Sequence, residues 1–209
     1  MFEIRKTEIF AKWIDSLDDI RARARILVRI ERLAAGNPGD VKPVGEGVSE
    51  LRIDYGPGYR VYYKKQGRSV VILLAGDDKR TQSRNIKTAL RLARNLLGVC
   101  IMAKTITTRY DVAEHLRSPE EMAAYLEACF EEAHGDAAFI AKALGDIARA
   151  KGMSQVARDA GLSRESLYKA LSGERSPAFE TILKVMGALG LKLHAEAVHA
   201  NRSAAQQDA

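Results

Sequence analysis

Four histidines, His115, His134, His194 and His199, serve the whole 209-residue chain, and none lies in the first half. Histidine acid–base catalysis and a His-rich metal site are thereby excluded for residues 1–101. Cysteine is nearly as scarce: Cys100 and Cys129 fit no metal or redox spacing. They are expected as reduced thiols, one near a boundary and one on a helix face, so the first half also lacks a Cys nucleophile. No run approaches the roughly 20 apolar residues of a membrane span. The N-terminus, Met-Phe-Glu-Ile-Arg-Lys, is too charged for a signal peptide, so a cytoplasmic protein with no membrane partner is expected. Neither a cofactor nor a metal is expected.

Charge is unevenly spread. Residues 1–101 carry 20 Lys and Arg against 12 Asp and Glu, whereas residues 102–209 carry 13 against 15, within a net charge of +6. A surplus of +8 beside a deficit of −2 points to a polyanion-binding module joined to a near-neutral one. The length allows two units of about 100 residues. Residues 98–104 are the expected junction, with Met102 reading as a second beginning after the apolar Leu97-Gly98-Val99-Cys100-Ile101.

Within residues 1–97, Phe2 to Lys6 alternate as a short strand. Thr7 can cap a helix bearing Ile9, Phe10, Trp13, Ile14 and Leu17. A second helix opens near Asp18-Asp19 and presents Ile20, Ala24, Leu27, Leu33 and Ala34 inward. Its arginines, Arg21, Arg23, Arg25, Arg29 and Arg32, are expected to form a solvated outer face, with a nucleic-acid or acidic-partner contact as the alternative. Three strands follow, around Leu51-Arg52-Ile53, Tyr59 to Tyr63 and Val70 to Ala75, with a hairpin at Tyr55-Gly56-Pro57-Gly58. A helix from Lys79 to Leu97 closes the unit. The reading is α+β, with helices on one sheet face and the other face open to a ligand. Arg52 and Arg60 on neighbouring strands, with Lys79 and Arg80 after the last strand, could neutralise phosphate and stabilise charge building on phosphorus during attack by a neighbouring hydroxyl.

Glu50-Leu51-Arg52, Gly58-Tyr59-Arg60-Val61-Tyr62-Tyr63 and Gly76-Asp77-Asp78-Lys79-Arg80-Thr81-Gln82 together resemble the RelE/ParE superfamily of toxins, in its HigB-like, phage Gp49-like addiction module killer branch. The resemblance spans residues 1–97. It implies a ribosome-dependent endoribonuclease that cleaves mRNA, with Arg52, Arg60, Tyr62, Lys79 and Arg80 as catalytic residues. Where RelE enzymes carry a tyrosine early in the last helix this chain has Ile86, and Glu50 replaces another basic residue, so Tyr62 or Tyr63 would have to supply a phenol. A ParE-like gyrase inhibitor is the alternative target class. Arg60 paired to Asp54 or Glu50, with the tyrosines packing the sheet, is the purely structural alternative.

Beyond the junction, Ser118-Pro119-Glu120-Glu121 is a full helix start, and Met122, Tyr125, Leu126, Cys129 and Phe130 form its apolar stripe with Glu127, Glu131 and Glu132 outside. His115 and His134 are expected at the surface or as caps. Residues 154–171 have helix-turn-helix spacing: Ala157 where two helices touch, Gly161 in the turn, and Leu162, Leu167 and Ala170 pinning the second helix. Gln155, Ser163, Arg164, Glu165, Ser166, Tyr168 and Lys169 are the expected DNA-binding residues. Ser176-Pro177 would start a supporting helix with Phe179, Ile182, Leu183, Met186 and Leu189 in the core, and Leu191 to Ala195 a closing strand.

Thr108-Arg109-Tyr110-Asp111-Val112-Ala113, Ala143 to Ala150 and Ser163 to Leu171 resemble the HigA-like addiction module antidote family over residues 105–198. That resemblance implies an all-α antitoxin that binds its toxin, represses its own operon and acts as a homodimer on operator DNA. Residues 199–209 read as a disordered tail. The expectation is a toxin and antitoxin in one chain, touching within or between chains, with the glutamates of residues 120–132 covering the basic face. A repressor with an inactive toxin-like domain is the alternative.

Overall fold

In a computed structural model, which describes residues 2–78, 82–96, 105–174 and 176–194, the chain is mixed α/β with a six-stranded sheet and eight α-helices among those residues. It starts with strand β1 (Glu3–Thr7), helix α1 (Glu8–Asp15) and helix α2 (Ile20–Ala34). Thr7 sets the first junction: its hydroxyl accepts from the Phe10 amide at 3.2 Å as helix cap and donates to the Leu74 carbonyl at 2.6 Å, tying the helix start to the sheet. Asp19 caps α2 by accepting from the Ala22 amide at 3.0 Å.

Strands β2 (Val41–Gly45), β3 (Val48–Ile53), β4 (Tyr59–Gln66) and β5 (Val70–Asp78) follow, then α3 (Gln82–Leu96). The sheet order is β2-β3-β4-β5-β1-β6, with β1 parallel to β5. Strand β2 is one more than the sequence pattern indicated, and it carries Pro43 at a sheet edge, where the missing amide costs no ladder bond. Alternation divides the sheet into two faces. Leu51, Ile53, Val61, Tyr63, Val71 and Leu73 join one core cluster with residues of α1 and α2, whereas Val48, Tyr62, Ile72, Leu74 and Ala75 join another with Ala89 and Ala93 of α3. The expectation of helices on one face is therefore corrected. β5 is apolar on both sides, and α3 covers the second side.

The second half is not all-helical. Thr107–Arg109 forms β6, which extends the sheet antiparallel to β1, pairing Arg5 with Arg109 and Thr7 with Thr107. The reason is geometric: β1 would otherwise be an edge, and the polar threonine segment satisfies its open backbone groups. A short 3-10 turn, Val112–His115, leads to α4 (Pro119–Ala133), where Ser118 and Glu121 complete the capping box. Then come α5 (Ala137–Lys151), α6 (Met153–Asp159), α7 (Arg164–Ala170) and α8 (Phe179–Leu189).

Several expectations change here. Helix α8 starts at Phe179, and Phe179 and Leu183 are exposed while Val185, Met186 and Leu189 are buried. Phe130 on α4 is likewise exposed. Leu191 to His194 form no strand: Gly190 turns left-handed (φ +76°) and the Leu191 amide donates back to the Met186 carbonyl, which closes the helix end instead. His115 is buried and stacked on Tyr110, not at the surface, whereas His134 does take the helix-cap position of α4 in left-handed conformation. Lys79, Arg80, Cys100, Ala195 and the junction at Met102 lie outside the described residues, as does the tail.

Candidate nucleic-acid sites

The tight hairpin after Ile53 sets the register of β3 on β4 and puts Arg52 directly opposite Arg60, with Arg60 opposite Asp77 of β5 in turn. Glu50 and Tyr62 form the next row on the same face, the one α3 partly covers. Two opposed arginines repel. Glu50, 2% exposed, relieves this by lying 3.7 Å from both Arg52 Nε and Arg60 Nε, and Asp40 adds a contact at 3.2 Å to Arg52. These contacts neutralise charge without completing hydrogen bonds. Arg60 Nε and Nη1 and Arg52 Nε are buried donors with no hydrogen-bond acceptor among the described residues. Donors left in this state cost stability and suit an external oxyanion.

Tyr62 and Tyr63 separate by strand alternation: Tyr62 lies on this face and Tyr63 on the α1–α2 side. A register shift after Tyr62 leaves Leu74 as the extra residue of β5 and lets Tyr62 reach Asp77, to which its hydroxyl donates at 3.0 Å. Burial, reinforced by the Asp77 charge, raises the Tyr62 phenol well above its usual range. Burial also pushes the Asp77 carboxyl up to about 6, against the opposing pull of the Tyr62 hydrogen bond, Arg60 and Asn85 of α3. In a half with no histidine, Asp77 is thus the group that titrates nearest neutrality on this face. Sequence reasoning passed over it because its importance depends on the β5 register shift.

The second site is helical. Helices α6 and α7 meet across a turn in which Gly161 has φ +66° and the Leu162 amide donates to the Ala157 carbonyl at 2.9 Å. Ser163 caps α7 by accepting from the Ser166 amide at 3.0 Å, and Leu167 is fully buried. Ser163, Arg164, Glu165, Ser166, Tyr168 and Lys169 are all exposed, with the Arg164 guanidinium over the Tyr168 ring at 5.4 Å. Gln155 is exposed on α6, donating to Asp159 at 2.7 Å. The expected DNA-binding residues are therefore all exposed on the two helices. Gly145 of α5 lets the Leu171 backbone approach closely: a Cβ there would lie 2.9 Å from the Leu171 carbonyl oxygen.

Between the two sites runs a seam of opposite charges. Arg23 pairs with Glu121, Arg25 with Glu131 at 2.6 Å, and Arg32 with Glu132 at 3.0 Å, all between α2 and α4. Lys142 of α5 pairs with Glu31 of α2, Lys6 with Glu114 at 2.6 Å, and Arg117 with Asp15 at 2.7 Å. Arg23, Arg25 and Arg32 are thus not a solvated face, whereas Arg21 is exposed. Glu121, Glu131 and Glu132 meet them there, and not at Arg52 and Arg60 on the opposite side of the sheet. One apolar cluster runs without a break from Phe10 and Leu27 to Leu126, Leu144 and Val156, so the halves share a core. Burial raises the Glu31 carboxyl despite the opposing charge of Lys142.

Residues 12–97 match the family described as phage derived protein Gp49-like (DUF891), and residues 106–197 match that described as probable addiction module antidote protein. Each half of the chain is thus similar to one of these two families. Two uncharacterised proteins of Haemophilus influenzae (strain ATCC 51907 / DSM 11121 / KW20 / Rd) are similar to it. One is 51% identical over 94 residues, which are 45% of this chain and 95% of that protein. The other is 55% identical over 87 residues, 42% of this chain and 88% of that protein. No solved structure matches. A Gp49-like half docked on an antidote half makes the chain a toxin–antitoxin module. Among the described residues, no helix is long and apolar enough to cross a membrane, and no group of three or more His, Cys, Asp or Glu could hold a metal.

Proposed function

We propose that residues 1–97 are a HigB-like RNA-cleaving toxin of the RelE/ParE type, acting on mRNA at the ribosome, and that residues 105–198 are its HigA-like antidote, which also binds operator DNA and represses its own operon. The observation that carries this reading is the ion-paired seam, which holds a Gp49-like half against an antidote half within one chain. On the sheet face, Arg60 and Arg52 would donate to the nonbridging oxygens of a phosphate and stabilise charge as a ribose 2′-hydroxyl attacks phosphorus. Tyr62 and Asp77 would hold that face in shape and set its protonation. Lys79 and Arg80 would add cations at the end of the last strand. Because α4 covers α2, across the sheet from the Arg52–Arg60 row, neutralisation would come from blocking access to a large target and not from plugging the site.

On the other side, Gln155, Ser163, Arg164, Glu165, Ser166, Tyr168 and Lys169 would enter a major groove, phosphate contacts fixing register and side chains reading bases. Two copies would serve two half-sites, and the exposed Phe179 and Leu183 are apolar surface such a homodimer would bury. Production of residues 1–97 in cells tests the reading. Growth arrest with cleaved mRNA, reversed by residues 105–209 and by Arg60→Ala, is expected. Arrest with DNA damage would assign a ParE-like gyrase target, and absence of toxicity would leave a repressor with an inactive toxin-like domain.

A further inference from the structure

Among the described residues Arg52 and Arg60 face Glu50, Asp40 and Asp77, and Arg23, Arg25 and Arg32 of α2 are paired with α4. Part of the basic surplus of the first half lies on a different element. Helix α3 contains Arg84, Lys87, Arg91 and Arg94 and no acidic residue. Spacings of three, four and three place all four on one stripe, diametrically opposite Ala89 and Ala93, which are fully buried against the sheet. All four are exposed. Arg94 is bonded to Glu46, whereas Arg84, Lys87 and Arg91 have no ion-pair partner among the described residues. Such a row of uncompensated cations is maintained against its own repulsion, which an anionic partner would relieve.

The stripe also has a direction. Arg84 stands in the first turn of α3 beside Asn85, whose side chain reaches Asp77 in the candidate site. From Arg84 to Arg91 the helix rises about 10 Å, two turns. No ion pair from the antidote half reaches α3 among the described residues, so the row stays open while the halves are docked.

We infer that Arg84, Lys87 and Arg91 form a track for the phosphate backbone of single-stranded RNA, leading to the Arg52–Arg60 site and accessible in the intact chain. The choice of RNA rests on the RNA-cleaving reading of the sheet site. The track itself rests on charge and exposure. In this arrangement the antidote half restrains the toxin half without displacing its nucleic-acid strand.

The test uses the full chain and a fluorescein-labelled 12-nucleotide single-stranded RNA, followed by anisotropy between 50 and 200 mM salt. Each phosphate neutralised contributes a log–log slope of about −0.7, so three cations give about −2. The triple variant R84Q/K87Q/R91Q should bind at least tenfold more weakly at low salt, with a slope shallower by about 2. The variant K12Q/K184Q/K192Q, which removes three exposed charges elsewhere, should retain most of the affinity. R91Q alone should make the slope shallower by about 0.7, which covers the case in which the triple variant folds poorly. Binding by the triple variant equal to wild type would overturn the track. So would no RNA binding by the wild type, or a preference of these three cations for duplex DNA or an acidic protein. Arg60→Ala separates the two readings: retained RNA slope without cleavage by either protein supports the track and rejects the nuclease.

Discussion

Glu31 of α2 and Lys142 of α5 form an ion pair across the seam, with only 10% and 26% of their side chains exposed. A buried carboxylate tolerates this position only with its cation in place. Lys142→Met should therefore strand Glu31 and cost about 3–5 kcal/mol in urea unfolding, with the double variant Glu31→Met, Lys142→Met recovering most of it. Equal stability of Lys142→Met and wild type would show that the pair carries no weight in docking.

Gly76 lies under Trp13. A methyl group at this position would come within 2.1 Å of the indole ring, and the ring is walled in by α1 and the sheet. Gly76→Ala is expected to cost about 1–3 kcal/mol by overpacking and to shift the fluorescence of the single tryptophan. An unchanged spectrum and midpoint would mean that α1 moves freely on β5.

Asp77 makes stability depend on pH. Its folded carboxyl is raised to about 6 from an unfolded value of about 3.9, so its contribution is fully present below about pH 4 and lost as pH rises through 6. Asp77→Asn can still accept from Tyr62 and cannot ionise. Relative to wild type it should gain about 2–3 kcal/mol between pH 4 and pH 8. Melting curves of the two proteins that run parallel across that range would refute the shift.

Ser163 holds the start of α7. Ser163→Ala removes the acceptor for the Ser166 amide and should cost about 1 kcal/mol. Faster amide exchange confined to α7 and the turn before it, with weaker duplex DNA binding, is the expected readout. Loss spread evenly over α4 and α5 would indicate that α7 has no local stability of its own.

Capping and periodicity made much of the fold legible. Thr7, Asp19, Ser118 and Ser163 all cap the helices that their positions announce. The Arg52–Arg60 row was also readable, because a tight hairpin fixes register locally. What escaped depends on distant partners. An acidic partner for the outer face of α2 stood only as an alternative, since nothing in residues 20–34 reveals α4, which lies about a hundred residues on. Phe179 and Leu183 fit a helix stripe as well as Met186 does, and only the placement of α5 decides which of them is buried. Asp77 needed the shift at Tyr62 to become a partner of that hydroxyl.

Strand β6 gives the chain an order in time as well as in space. The toxin half leaves the ribosome first, with β1 as a bare sheet edge, and only the arrival of Thr107 to Arg109 supplies the last strand. Because those three residues stand ahead of the rest of the antidote, the earliest part of it to emerge is the part that closes the toxin's sheet. The six-stranded sheet is then complete only when both halves have been made, and synthesis of one chain delivers its last strand soon after the strands it joins.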